Sequence, residues 1–388
     1  MLATIEFYQN TFEGIIKSSM RDAEKILGSY LEIKWHFILL SRRMHATRQG
    51  VWKNSVKTYI FLPPLPRGSG GLAVLRHVGI FLYKAGFPVN FVLREASKNA
   101  KESGVEVLSW QELHLKPGDI WLTPEGWPNA LLPGLSAGAR SLMYAQSWAY
   151  LLSCQPENAY LEDLPLEILA VSEPVARFVD MSLGKHAAVL RPSIDTTLFC
   201  PPRERKDGTT VRVAFMPRKN KAFARQIREL AEARLRRRAS PLSLEWVSIE
   251  DRSQAEVAQL LKAAHIFLCT GFPEGCPLPP LEALACGCVP VGFTGLGGWD
   301  YMRQAADFPG AAKPLWPPRE TPWAGNGFYA ADADVPGAVL ALEAALDVFA
   351  RGDEELAALR RAGQITAAAY SREAQEQAVV ALWNELRP

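Results

Sequence analysis

The sequence predicts an α/β protein with two similar open sheets of parallel strands facing a cleft. Three observations carry that expectation. Short apolar runs alternate with helical stretches through both halves of the chain. Between the halves lies "RPSIDTTLFCPPRERKDGTT" (191–210), whose three prolines and charged end read as an interdomain linker. At 388 residues the chain also exceeds one typical core, which points to two domains.

The first series opens with "VKTYIFLPP" (56–64), a buried strand, and "RGSGG" (67–71), a loop. "LAVLRHVGIFLYKAG" follows as a helix ending at Gly86, and "PVNFVL" as the next strand. A strand, glycine loop, helix and strand in that order imply a parallel sheet. "GDIWLTPEG" and "RSLMYAQSW" read as strands running into loops, and "EILAVSEPVARFVDMSLG" as a strand, a turn and a short helix. The second series runs "VRVAFMP" (strand), "NKAFARQIRELAEARLRRR" (helix), "LSLEWVSI" (strand) and "SQAEVAQLLKAA" (helix). It continues with "HIFLCT" (strand), "LPPLEALAC" (helix) and "CVPVGF" (strand), and "SREAQEQAVVALWNEL" is the closing helix. No internal repeat of solenoid period is present.

Composition excludes several classes. Hydrophobic residues at 48% and charged residues at 22% are ordinary for a globular protein. A net charge of +2 argues against a nucleic-acid binder. The cluster Arg234, Arg236, Arg237 and Arg238 sits at the C-terminal end of an expected helix, where cations suit the dipole. Cys269, Cys276, Cys286 and Cys288 match no spacing of zinc ligands and read as small buried apolar residues. The N-terminus lacks a signal-peptide pattern, and no apolar run is long enough to span a bilayer, so a cytoplasmic protein is expected. Residues 1–54 carry "KWHFILLSRRMHATR", for which two readings stand. One is a helix lying on the inner face of a membrane, Trp35, Phe37, Leu39 and Leu40 inward and Arg42, Arg43 and Arg48 outward. The other is a helical extension packed on the body.

The chemistry gathers at 271–300, "GFPEGCPLPPLEALACGCVPVGFTGLGGWD". In open parallel sheets, ligands bind beyond the carboxyl ends of the strands. Glu274 follows "HIFLCT" at such an end, and Glu282 falls inside the next helix. Carboxylates accept hydrogen bonds from hydroxyl pairs, which suits sugar and ribose diols. A helix start between them attracts phosphate through free N–H groups. Pro277, Pro279 and Pro280 remove three of those donors, while Gly275, Cys276, Leu278 and Leu281 keep theirs. Arg218, Lys219 and Lys221 follow the first strand of the second series and suit a diphosphate. Gly297 and Gly298 let a backbone approach a ligand closely. Together these describe a site for a sugar joined to a nucleoside diphosphate.

"PEGCPLPPLEALACGCVPVGFTGLGG" (273–298) closely resembles the donor-site signature of retaining GT-B glycosyltransferases of the Glu-x7-Glu type. "LAVSEPVARFV", "RPSIDTTLFCP", "VAFMPRKNK" and "YSREAQEQAVVALWNEL" are similar to other stretches of that family, so the likeness covers roughly 56–388. It implies GT-B architecture, two Rossmann-like domains facing a cleft. The expected domains are a helical extension (1–54), an acceptor-side domain (55–195) and a donor domain (196–365). A C-terminal helix (366–388) would pack back toward the first domain.

By the same resemblance, Glu274 binds hydroxyls of the transferred sugar and Glu282 the ribose diol. Arg218, with Lys219 or Lys221, stabilises the leaving diphosphate, so that no metal and no other cofactor is required. Gly275, Cys276, Leu278, Gly297 and Gly298 complete the donor site, and Gly70 and Gly71 form the first-domain loop near phosphates and acceptor. The residue recognising the base falls near 248–253. The implied partners are a nucleotide-sugar and a glycan or lipid-linked acceptor.

The chain also departs from the family pattern. Pro277 stands where many relatives have glycine, and Gln146 occupies the segment where many carry a histidine. Asp300 replaces a glutamate that often follows the Gly-Gly turn, one position early. Glu125 in "TPEGWP" reads either as a further acceptor-side residue or as a solvated turn glutamate, and His77 as a packed helix residue. Two rival functions use the same plan: a sugar-nucleotide epimerase or hydrolase, and a degenerate, non-catalytic subunit.

Overall fold

The computed structural model describes residues 56–387, apart from 66–69, 98, 156–159, 205–207, 219, 239–240 and 352. The readings of residues 1–54 and of Lys219 lie outside the described residues. Two sheets, both within one compact unit, organise the rest.

The first sheet has the order β3-β4-β2-β1-β5-β6-β7-β8. Its strands are β1 (Thr58–Phe61), β2 (Val89–Leu93), β3 (Lys101–Glu102), β4 (Val105–Ser109), β5 (Ile120–Pro124), β6 (Arg140–Ala145), β7 (Leu166–Ala170) and β8 (Ala187–Val189). All pairs are parallel except β3 with β4. β1, β5 and most of β2 and β6 are buried, as expected of parallel strands covered on both faces. The helices of this lobe are α1 (Gly70–Lys84), α2 (Leu132–Ala137), α3 (Trp148–Ser153) and α4 (Glu173–Leu183).

The second sheet, β10-β9-β11-β12-β13, is entirely parallel. It contains β9 (Thr210–Phe215), β10 (Ser243–Ser248), β11 (Ile266–Cys269), β12 (Val289–Gly292) and β13 (Phe328–Tyr329). Its helices are α5 (Lys221–Arg238), α6 (Gln254–Ala263), α7 (Leu278–Ala285), α8 (Val335–Arg351) and α9 (Asp353–Ala368), and α10 (Arg372–Leu386) closes the chain. The period of two along β11 divides the core. Ile266 and Leu268 join a cluster with Ile227 of α5 and Leu342 of α8. Phe267 and Cys269 join another with Leu261 of α6, Leu281 of α7 and Ala362 of α9. Burying both faces explains why "HIFLCT" is apolar without alternation.

Two findings differ from the sequence reading. Gly70 and Gly71 belong to the first turn of α1 rather than to a loop. A β-carbon at Gly71 would meet Gln146 Oε1 at 2.7 Å, so a larger residue there would displace the end of that side chain. The proline-bearing stretch 191–210 is also anchored over its first part. The Ser193 hydroxyl donates to Gln375 Oε1 at 2.6 Å, the Ile194 N–H donates to the Tyr370 carbonyl at 2.9 Å, and Phe199 is buried. Its apolar residues, Ile194 and Phe199, supply that anchorage.

α10 packs on α1 of the first lobe. Trp383 is fully buried there, and its Nε1 donates to Thr58 Oγ1 at 2.9 Å. Trp383→Ala removes both the ring and a hydrogen bond at the base of β1. Chemical unfolding should show a loss of about 3–5 kcal/mol. A loss below about 1 kcal/mol would mean that α10 contributes little to the first lobe.

Candidate active site

In each sheet the strand order reverses once near its middle, between β1 and β5 and between β9 and β11. A crevice opens beyond the carboxyl ends of the strands at such a point. The loop after β1 leads to Gly70, and the loop after β5 carries Glu125. Arg218 follows β9, and Glu274 follows β11.

Glu274 is held by its main chain. Its N–H donates to the Gly295 carbonyl at 3.0 Å, and its carbonyl accepts from the Gly297 N–H at 3.1 Å. α7 begins four residues on. Pro279 and Pro280 fit its first turn, where helical N–H groups lack intrahelical partners and proline's fixed φ suits the start. The Tyr301 hydroxyl fixes the entry by donating to the Pro277 carbonyl at 2.6 Å. The N–H groups of Gly275, Cys276 and Leu278 make no hydrogen bond among the described residues. They leave free donors at the helix start despite the three prolines, the kind of position where anions are favoured.

Glu282 lies one turn inside α7, half-buried, and its carboxylate has no partner among the described residues. Burial pushes its carboxyl up to about 7. A desolvated, unpartnered carboxylate costs stability, and a ligand hydroxyl pair would satisfy it.

Gly297 and Gly298 differ in use from Gly275. The Gly297 N–H is taken by Glu274 and the Gly298 N–H by the Thr294 carbonyl at 2.9 Å. A β-carbon at Gly297 would meet the Gly275 carbonyl oxygen at 1.9 Å, and one at Gly298 would meet Met302 Sδ at 2.6 Å. The close approach these glycines permit is therefore by the protein itself.

Arg218 is exposed and makes no hydrogen bond or ion pair among the described residues. Lys221 opens α5 and lies 3.7 Å from Glu250, inside the 248–253 segment expected at the base. Both groups are exposed, so this pair is weak. Between them Asn220 adopts a left-handed φ of 58° and its Nδ2 donates to the Thr270 and Phe272 carbonyls at 2.9 and 3.0 Å. This asparagine ties the basic loop to the Glu274 loop. Its signal was an Asn after β9, a residue type that tolerates the left-handed region.

The first lobe meets this loop directly. Buried Glu125 accepts from the Gln146 N–H at 3.0 Å. Burial pushes its carboxyl up to about 7, only partly offset by backbone hydrogen bonds from the Gln146 turn. It is not a solvated turn residue. The Gln146 carbonyl packs on Gly275, where a β-carbon would meet it at 2.0 Å. The Ser172 hydroxyl donates to the Gly275 carbonyl at 2.6 Å, and Trp148 Nε1 donates to the Gly295 carbonyl at 3.2 Å. The structure thus gathers Gly71, Glu125, Gln146, Glu274, Gly275 and Gly297 through shared contacts. Gly70 would have only open space around a β-carbon.

Asp300 is fully buried and serves as a bracket. Arg191 grips it with two hydrogen bonds, Nε to Oδ2 at 2.7 Å and Nη2 to Oδ1 at 3.0 Å. The Glu173 N–H donates to Oδ1 at 2.9 Å, and the Tyr370 hydroxyl donates to Oδ2. Burial alone would raise its pKa; the Arg191 contacts outweigh that and hold the carboxyl below its usual value. His77 packs on Phe81 within α1, and burial, then the Arg372 charge, lowers its pKa. Cys269, Cys286 and Cys288 are buried in the second-lobe core, where burial pushes the Cys269 and Cys286 thiols up.

Solved structures share the fold. A glycosyltransferase from Rickettsia africae ESF-5 superposes with a TM-score of 0.59 at 12% identity, covering 86% of this chain and 99% of that one. Sucrose-phosphate synthase from Thermosynechococcus elongatus gives 0.59 at 14%, covering 85% and 99%. The catalytic domain of starch synthase IV from Arabidopsis thaliana, bound to ADP and acarbose, gives 0.53 at 13%, covering 86% and 99%. The fold is GT-B. No family model matches the sequence, and neither does any curated protein sequence. None of the described helices of this GT-B chain is long and apolar enough to cross a membrane.

The desolvated Glu282 makes a pH-dependent prediction. Its folded pKa lies above the ordinary 4.5, so its contribution to stability is full below about 4.5 and is lost as pH rises through about 7. Glu282→Gln should therefore be more stable than wild type at pH 8.5, by up to about 3 kcal/mol, and match it at about pH 4, as read by chemical unfolding at the two pH values. Equal behaviour of the two proteins at pH 8.5 would mean the carboxylate is well solvated.

Proposed function

We propose that this chain is a glycosyltransferase moving a sugar from a nucleoside-diphosphate sugar to a hydroxyl of a glycan or lipid-linked glycan, with retention of configuration. The observation that carries this reading is the half-buried Glu282 carboxylate without a partner among the described residues, on the helix whose start and preceding residues carry three unpaired N–H groups. A diol and an anion held by one short helix describe a ribose joined to phosphate. The GT-B fold is consistent with it, and the starch synthase neighbour is a complex with ADP.

In this reading Glu282 accepts from the ribose hydroxyls. The N–H groups of Gly275, Cys276 and Leu278 take phosphate oxygens, and Glu274 accepts from hydroxyls of the transferred sugar. Arg218, with Lys219 or Lys221, meets the charge that builds on the diphosphate as its bond to the anomeric carbon breaks. These cations supply the stabilisation that a metal supplies elsewhere. The acceptor hydroxyl attacks from the face the diphosphate leaves, and the departing phosphate takes its proton. Glu125 and Gln146 shape the first-lobe wall, with Gln146 where relatives use histidine. Gly297 contributes by supporting Glu274 from behind, and Gly298 by tightening the 294–298 turn, rather than by donating to the donor.

Thermal unfolding of wild type and Glu282→Ala against a panel of nucleoside diphosphates and sugar nucleotides tests the site. A ligand at ~100 times its dissociation constant adds about 2.7 kcal/mol, a shift of a few degrees. One nucleotide family should raise the wild-type midpoint and leave the variant unmoved. No shift with any nucleotide would sink the proposal, and a shift without release of nucleotide in the presence of acceptors would leave a binding subunit. Arg218→Ala should retain nucleotide binding and lose roughly 10²–10³ in turnover.

A further inference from the structure

The peptide of Gly295 is held from several sides. Its N–H donates to Asp332 Oδ1 at 2.9 Å, and the neighbouring Thr294 N–H donates to the same oxygen at 3.1 Å. Its carbonyl accepts from the Glu274 N–H and from Trp148 Nε1. Both main-chain polar groups of Glu274 are thus committed to the 295–297 turn. Among the described residues, Asp332 is the side chain of the second lobe that anchors that turn.

Asp332 reaches the turn because of where it lies. It follows β13, the strand beside β12, so both loops leave the same sheet edge. The next residue, Ala333, takes a left-handed φ of 67°, which a residue with a β-carbon seldom adopts. Strain of this kind persists where surrounding contacts over-determine the backbone. Asp332 is half-buried and within electrostatic reach of Glu274, whose charge adds to burial in raising its pKa against the two backbone hydrogen bonds.

We propose that Asp332 is a positioning residue for Glu274. By fixing the Gly295 turn, it sets where the Glu274 carboxylate meets the transferred sugar. This inference rests on the glycosyltransferase reading of the crevice. It predicts a division of labour, because the Asp332 hydrogen bonds go to Thr294 and Gly295 and none goes to Glu282 or to α7.

The test uses the full chain with Asp332→Ala and Asp332→Asn, whose amide oxygen can still accept both N–H groups. Amide hydrogen exchange without ligand comes first. Asp332→Ala should speed exchange at Gly295 and Glu274 at least tenfold, leave β11 and β12 unchanged, and be largely rescued by Asp332→Asn. Steady-state kinetics with the donor chosen by the thermal panel come second. In Asp332→Ala, kcat should fall at least tenfold with KM for the donor within about threefold of wild type, and asparagine should again rescue. Unchanged exchange at Glu274 overturns the proposal whatever the kinetics show. Uniformly faster exchange across the second lobe, or faster exchange with unchanged kcat, overturns it as well. If no donor turns over in wild type, the functional reading fails, while the exchange experiment still decides whether Asp332 fixes Glu274. Should the alanine variant not fold, Asp332→Glu keeps the charge but lengthens the reach, and the same loss of kcat is expected of it.

Discussion

Gly275 is the point on which the two lobes close. Its carbonyl takes the Ser172 hydroxyl from the first lobe, and the Gln146 carbonyl lies against its α-carbon. Gly297 in turn lies against the Gly275 carbonyl so closely that no β-carbon fits. Any side chain at 275 or 297 would force these layers apart. Glu274, the start of α7 and the 295–297 turn all take their positions from this stack.

Around it, polar groups divide into satisfied and unsatisfied. Asp300 collects Arg191, Tyr370 and the Glu173 N–H, so its burial is compensated and its charge is retained. Glu282 has burial without such compensation. The contrast assigns the two acids different work, although both were legible as acids near a glycine-rich turn. Asp300 holds structure together; Glu282 awaits a partner.

The two sheets and the crevice were legible where local pattern was strong. "HIFLCT", "VRVAFMP" and the prolines of α7 each carry their assignment within a few residues. Local pattern marked neither β3, β4 and β8 nor the elements between 301 and 370, where β13, α8 and α9 lie. Asp332 and Asn220 were illegible for a different reason. Their roles come from partners 37 and 50 residues away in sequence, Gly295 and Thr270, which local pattern does not connect. The glycines were read correctly as close-approach positions but assigned to a ligand, because a sequence does not reveal which backbone fills the space. For Glu125 local pattern left open an acceptor-side residue or a solvated turn glutamate, and the topology buries it.

In the proposed function, α7 holds a nucleoside diphosphate between its N-terminus and Glu282. A crystal structure of the chain with the nucleoside diphosphate that most raises its melting midpoint tests this directly. The account predicts ribose hydroxyls on the Glu282 carboxylate and phosphate oxygens on the N–H groups of Gly275, Cys276 and Leu278. Density for the nucleotide anywhere else, with Glu282 still unpartnered, would contradict it.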